Sequence, residues 1–362
     1  MGSAVTANGL DGVVVAETRL SDVDGEQGRL VIAGHDVEEL ALRASFEEAA
    51  ALLWNVPVEV AKNGIAEGRA RAFERLGKLG DALELEGGMD AIRAAAAHFT
   101  EANGFGGAPA ITGALAVCAA AWARKRRGLS PVAPDVSKGH AADYLRMIAG
   151  EGLDEAKAAA LDAYLVTVSD HGMNASTFAA RVVTSTGSDL VSAVVAAIGA
   201  LKGPLHGGAP GPVLDMLDAI GSPANAAAWI EGELSAGRRI MGMGHRIYRV
   251  RDPRAAVLEK ATQRLEKAGL STGRLALARA VEAAAEGALR AKYPDRPLRA
   301  NVEFYTAVLL DTVGLDRAEF SPTFAVGRVA GWSAHVEEQR AVGRLIRPGS
   351  RYVGAAPSSP AH

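Results

Sequence analysis

Apolar residues recur at spacings of three and four through most of this 362-residue chain, and only two short runs carry β-type patterning. The two runs are Val13-Val14-Val15-Ala16-Glu17-Thr18 and Arg29-Leu30-Val31-Ile32, with Asp22-Val23-Asp24-Gly25 as the turn between them. They predict a small N-terminal β-hairpin. Helical spacing then takes over at 36–42, 45–54, 161–171, 189–201 and 224–234. Ser45 and Glu48 are placed as a capping box. In Asp252-Pro253-Arg254 the aspartate suits an N-cap and the proline a first turn, which predicts a helix to about residue 268. Further helices are predicted over 273–292, over 302–313 behind Asn301 as N-cap, and over 323–342. The tail 355–362 is expected to be disordered. No repeat period is present, so the fold class is all-α, with the hairpin as its one β element.

The charge-free stretch 102–123, followed by Arg124-Lys125-Arg126-Arg127, has the outline of a membrane span with basic flanks. Its content argues otherwise. It is mostly alanine and glycine, Pro109 lies inside it, and 103–107 reads as loop. The expectation is a buried helix of about 15 residues starting near Pro109, with the basic residues matching its C-terminal dipole.

Composition narrows the function classes. A net charge of −3 gives no field favouring nucleic acid or an anionic membrane. The single cysteine, Cys118, excludes an internal disulfide and a multi-cysteine metal site. No signal-type segment opens the chain, and a reducing, cytoplasmic setting is expected. No HExxH pair or GxSxG elbow occurs. The Gly242-Met243-Gly244 pair follows no strand and lacks the third glycine, so it is no dinucleotide fingerprint.

Two histidines stand in glycine-rich settings: Gly203-Pro204-Leu205-His206-Gly207-Gly208-Ala209 and Gly242-Met243-Gly244-His245-Arg246. Glycine costs a helix about 1 kcal/mol relative to alanine, so such settings need a backbone reason. Close approach of a ligand to the main chain, with an imidazole aimed at it, is one. Glu303, in the first turn of the helix that Asn301 caps, is favoured in its ionised form by the dipole, which serves a base and helix stability equally. Arg249, Arg251, Arg254, Arg328 and Arg347 supply forks for carboxylates or phosphates, or ordinary surface ion pairs.

Taken in order, the segments resemble the citrate synthase family. Ser169-Asp170-His171-Gly172-Met173-Asn174-Ala175-Ser176 resembles its first histidine motif, Gly203 to Ala209 its second, and Gly242 to Arg254 its third, G-x-G-H followed by D-P-R. Asn301-Val302-Glu303-Phe304-Tyr305 is similar to the N-V-D-F-Y segment, and Gly331-Trp332-Ser333-Ala334-His335 to the helix that closes the site. The resemblance spans about 9–352. It implies a multi-helical two-domain fold, with 1–206 and 309–362 as the large domain and 207–308 as the small one. It implies a Claisen-type condensation of acetyl-CoA with oxaloacetate and hydrolysis of the product thioester, with no cofactor and no metal. By the same resemblance His206, His245 and Glu303 are catalytic. His171, Arg254, Arg328 and Arg347 bind oxaloacetate, the last from the neighbouring subunit of a homodimer. Arg249 and Ile240, Met241, Gly242, Met243 and Gly244 lie on the CoA side.

Two departures accompany the resemblance. Glu303 stands where aspartate is usual, one methylene longer at nearly the same intrinsic pKa, so geometry rather than basicity is altered. Glu303 is then the base of a backbone-adjusted subgroup, or the enzyme is slow or prefers another acyl-CoA, or the chain is a non-catalytic CoA- or metabolite-binding relative. The intact remaining motifs favour the first reading, and 2-methylcitrate synthase, which uses propionyl-CoA, is the runner-up activity. Leu30-Val31-Ile32-Ala33-Gly34-His35-Asp36 replaces a usual Y-R-G, a change expected to affect hairpin packing only. The N-terminal extension of the larger, NADH-inhibited enzymes is missing, which points to the compact dimeric type.

Overall fold

The computed structural model describes residues 8–10, 12–150, 152, 154–206, 210–270 and 272–355. The tail expected to be disordered lies outside the described residues from 356 onward. Among those described, one antiparallel sheet joins β1 (Ser21–Asp24), β2 (Arg29–Ile32) and β3 (His35–Asp36), with Ser21 opposite Ile32 and Val31 opposite Asp36. The first strand is therefore not 13–18, as its valines suggested. Val13 and Val14 are exposed and find no apolar cover, whereas Leu30 and Ile32 are wholly buried. Residues 22–24, taken for the turn, are strand, and the turn falls at 25–28.

Fifteen α-helices follow among the described residues. They are α1 (Val37–Leu40), α2 (Phe46–Trp54), α3 (Val58–Arg75), α4 (Gly88–Ala96), α5 (Ala108–Arg126), α6 (His140–Ala149), α7 (Glu155–Val168) and α8 (Ala175–Ser185). The rest are α9 (Leu190–Leu201), α10 (Pro210–Ile220), α11 (Ala226–Ser235), α12 (Pro253–Lys267), α13 (Arg274–Lys292), α14 (Val302–Val313) and α15 (Phe320–Val342). The chain is all-α apart from the small sheet. The Ser45–Glu48 capping box starts α2, and Asn301 accepts from the Glu303 N–H to start α14.

The charge-free segment becomes α5, longer than expected because it includes Arg124 to Arg126 in its last turn. It is buried on every side from Ala110 to Ala123. Its small residues permit this: a side chain at Gly113 would meet the Ile65 carbonyl of α3 at 2.4 Å. The basic end is used internally, Lys125 with Glu84, Arg126 with Asp316 and Arg127 with Glu319. No helix of the described residues is long and apolar enough to cross a membrane. α15 is the second buried axis, packing against α2, α5, α7, α8 and α9.

One boundary matters for chemistry. α7 ends at Val168 rather than running on to 171, so His171 sits in the 169–174 turn before α8.

Candidate active site

Four backbone platforms form the site: the 169–174 turn and the start of α8, which lie against α15, and the 240–252 loop and the first turn of α14, which lie against each other. At Gly331 of α15 a Cβ would stand 2.2 Å from the Ser169 carbonyl, so only glycine lets this helix press on the turn. Asp170, fully buried, receives the His335 Nε2–H on Oδ2 at 3.4 Å. Arg181 donates to His335 Nδ1 at 2.9 Å, which fixes that tautomer. The 240–252 loop lies along the entry to α14. The Gly244 N–H donates to the Arg299 carbonyl at 2.7 Å, the Asn301 N–H to the Gly242 carbonyl at 2.9 Å, and Asn301 Nδ2 to the Gly244 carbonyl at 2.8 Å. Gly242 and Gly244 both have positive φ, +74° and +90°, and a Cβ on Gly242 would meet Phe304 at 2.9 Å. These glycines let the loop that carries His245 lie on the helix that carries Glu303.

Asp252 joins the remaining pieces. Its buried carboxylate caps α12 through the Arg254 N–H at 3.0 Å and binds the Arg254 guanidinium at 2.7 and 3.0 Å. It also accepts the Val302 N–H at 3.1 Å, at the start of α14. One aspartate thus places an arginine and the entry of the Glu303 helix together.

The histidines are held as neutral rings. His245 Nδ1 accepts the N–H groups of Ile247 and Tyr248 at 3.0 and 3.1 Å, leaving the ring proton on Nε2. That Nε2 lies 3.3 Å from Arg254 Nη2, so two donors stand side by side with no acceptor between them. His171 Nε2 pairs with the Tyr248 hydroxyl at 3.1 Å, and its ring meets His245 edge-on with centroids 5.8 Å apart. His206 Nε2 lies 2.8 Å from Ser176 Oγ, which also accepts the Trp332 indole N–H at 3.0 Å. Burial first, then Arg328 for His206 and Arg254 for His245, pushes each of these two rings down to about 4. Burial and the same two arginines hold His171 well below the ordinary range.

Glu303 behaves oppositely. Partly exposed at the cleft, its carboxyl is pushed up to about 7 by burial, against the pull of Arg254, with Asp252 adding repulsion and Arg328 a further pull. No described residue donates a hydrogen bond to it. Arg328, buried in α15, donates from Nε to the Val168 carbonyl and stacks over Phe324, while its Nη2 is buried without a partner.

His171, His206, His245, Glu303, Arg254 and Arg328 therefore share one cleft. Ile240 is buried, and Gly242 and Gly244 bond to the entry of the Glu303 helix. Arg249 is exposed; its Nη1 turns back to the Arg246 carbonyl, and its N–H donates to Gly25. Arg347 is exposed on the extended segment after α15, anchored nearby by the Ile346 N–H on Ser185 Oγ. It does not join the cluster within one chain. Gly207, Gly208 and Ala209 of the second histidine motif lie outside the described residues. Sequence reasoning missed the roles of Tyr248 and Ser176, and saw Asp252 only as the cap of α12. Tyr248 lies one helical turn's spacing after His245, and that spacing was the available signal.

The chain matches the family model described as citrate synthase, C-terminal domain, over residues 9–349. It is 40% identical to the citrate synthase of Haloferax volcanii, covering 96% of this chain and 95% of that protein. It is 37% identical to the 2-methylcitrate synthase of Mycobacterium tuberculosis, covering 96% and 90%. The citrate synthase of Thermoplasma acidophilum, solved as a ternary complex with carboxymethyl coenzyme A and oxaloacetate, superposes with a TM-score of 0.87 at 27% identity, covering 98% of each chain.

Proposed function

The chain belongs to the citrate synthase family, and we propose that its cleft runs the family's condensation with Glu303 as the base. It is an acyltransferase that joins an acyl-CoA to oxaloacetate. The Glu303 carboxylate takes a proton from the carbon beside the thioester, and the enolate oxygen that develops accepts a hydrogen bond from His206. That carbon then attacks the oxaloacetate ketone, whose oxygen takes the His245 Nε2 proton. Water finally cleaves the thioester and releases CoA. The α-proton is weakly acidic, so a carboxylate can remove it only where fixed donors meet the developing oxygen charge. Neutral histidines supply those donors without an ion pair that must later be broken.

The observation that carries this reading is the paired donor site, His245 Nε2–H beside Arg254 Nη2. A keto-acid oxygen satisfies both at once. Arg328, with one nitrogen unpartnered, supports a second carboxylate contact, and His171 lines the same side. Ser176 Oγ donates to Asn174 Oδ1 and lies against His206 Nε2, each at 2.8 Å, and so positions the ring that faces the thioester oxygen in this reading.

The proposal extends to the wider molecule. Ile240 to Gly244 and Arg249 form the CoA side, and Arg347 completes the oxaloacetate site of the partner in a homodimer. The large domain takes 1–206 and 309–362 and the small domain 207–308, no cofactor or metal takes part, and the cytoplasm is the setting. Exposure of Arg347 and the single buried Cys118 support these readings.

The test is thiol release from acetyl-CoA and from propionyl-CoA, each with and without oxaloacetate. Oxaloacetate-dependent release with a higher kcat/KM for acetyl-CoA supports citrate synthase. The likeness to a 2-methylcitrate synthase favours the second reading, and one methylene in an apolar pocket is worth only about 1–3 kcal/mol, so turnover of both is expected and the ratio decides. Binding without release under any condition contradicts both.

A further inference from the structure

We propose that the N-terminal hairpin is a working part of the oxaloacetate site: through Ser21 and Gly25 it sets the separation of His171 and His245. The proposal rests on the reading of those histidines as oxaloacetate ligands. Ser21, at the start of β1, donates its hydroxyl proton to Asp170 Oδ2 at 2.5 Å and accepts the Gly172 N–H at 2.8 Å. Asp170 and Gly172 are the two neighbours of His171 in the chain. One hydroxyl therefore holds the turn from both sides of the histidine, and no other described hydroxyl does so.

The far end of the hairpin reaches the other histidine. The Gly25 carbonyl accepts the Arg249 N–H at 2.9 Å. A Cβ on Gly25 would lie 2.4 Å from the Ile247 carbonyl oxygen, and one on Gly28 2.4 Å from Val250 Cγ2. Ile247 donates the N–H that fixes the His245 tautomer, so pressure on this stretch acts on the catalytic ring through one residue. Between the two contacts the hairpin is stiff, with β1 paired along its whole length and Leu30 and Ile32 buried in the core. Its base is tied to α15, where the Arg19 N–H donates to Glu338 Oε1 at 3.0 Å and Glu338 holds Arg181 at 2.6 Å. The element is thus fastened to α15, to the His171 turn and to the His245 loop in succession. Displacements of about 1 Å at reacting groups cost about 10²-fold in rate, so a rigid spacer between two ligand-binding rings bears directly on turnover.

The experiment compares Ser21→Ala, Ser21→Thr and Gly25→Ala in the full chain, by calorimetry with oxaloacetate and by steady-state kinetics. Ser21→Ala is expected to weaken oxaloacetate binding roughly tenfold while the KM for the acyl-CoA stays within about twofold. Ser21→Thr, which keeps the hydroxyl, restores most of the affinity. Gly25→Ala lowers kcat about tenfold or more by moving the 245–251 loop. A packing role alone would reduce thermal stability and active fraction equally in Ser21→Ala and Ser21→Thr and leave both KM values unchanged. That result overturns the proposal, and if Gly25→Ala fails to fold the two Ser21 variants decide. Wild-type protein that does not bind oxaloacetate overturns the reading of the histidines and the proposal with it. Wild-type binding that none of the variants alters overturns the proposal alone.

Discussion

Arg69 and Arg328 are both buried arginines in one all-helical body, yet the first is ion-paired to a carboxylate and the second is ion-paired to none among the described residues. Arg69 lies 2.9 Å from Asp143 through Nε, reaches His140 Nδ1 at 3.3 Å and donates to the Lys138 carbonyl at 2.8 Å. Asp143 is equally occupied, with Arg146 at 2.7 Å and the Asp135 N–H at 3.0 Å. In the cleft, Arg328 leaves Nη2 unpartnered, Arg254 faces another donor, and no described donor reaches Glu303. Burial lowers both arginines, Arg328 to about 10, where the neighbouring Arg254 adds to the effect and Asp170 opposes it. A charge cluster closed by its own residues stabilises a fold. One with donors and a carboxylate left over is completed by a ligand, because unpaired buried groups are costly unless something pairs with them.

Exchanging the two arginines for leucine separates the clusters most sharply. Arg328→Leu is expected to raise the KM for oxaloacetate by about 10²–10³-fold with the thermal midpoint held, measured by kinetics and calorimetry. Arg69→Leu strands Asp143 and costs about 3–5 kcal/mol, read as a fall in the urea midpoint, with kcat per folded molecule unchanged. Stability loss in the first and activity loss in the second would erase the distinction.

The pH dependence separates the cleft's own members. As the proposed base Glu303 must be ionised, and burial pushes its carboxyl up to about 7, so kcat/KM is expected to fall as pH drops below about 7. His206 and His245, held at about 4, are neutral above pH 5 and add no limb there. For stability the sign reverses. Between 4.5 and about 7 the folded state keeps the Glu303 proton while the unfolded chain releases it, so this group's contribution shrinks as pH rises through that window. Wild-type protein should therefore gain more stability than Glu303→Gln on acidification from pH 7 to pH 5. The smallest effect is expected at Ser176. Ser176→Ala should lower kcat about tenfold at nearly constant oxaloacetate affinity, because the histidine proposed for the acyl side and the Trp332 indole N–H lose their partner while the oxaloacetate groups keep theirs.

Helices with explicit caps were legible to within a residue or so. Asn301, Asp252 and Ser45 each begin the helix their side chains predict. Failures came where burial overrode local pattern. The valines at 13–15 look like a strand, but Val13 and Val14 are exposed, and the hairpin forms where Leu30 and Ile32 reach the core. The helix read through His171 stops at Val168, because α15 presses on the Ser169 carbonyl at Gly331, a contact 162 positions away in the chain. In the site, the histidines, Glu303, Arg254 and Arg328 were legible because motif residues carry their own spacing. Tyr248, Ser176 and Asp252 were quoted within those motifs, but their work is tertiary: a hydroxyl on His171, one on His206, and a carboxylate spanning α12 and α14. Arg347 is exposed and outside the cleft of a single chain.

The central claim is that the cleft's leftover carboxylate is the base, and Glu303→Gln tests it most directly. Oxaloacetate titration by calorimetry and oxaloacetate-dependent thiol release are measured on the same preparation. The account predicts oxaloacetate affinity within a few-fold of wild type and loss of turnover by at least about 10³-fold. Retention of a substantial fraction of wild-type kcat at unchanged affinity would contradict it and assign proton removal to another group.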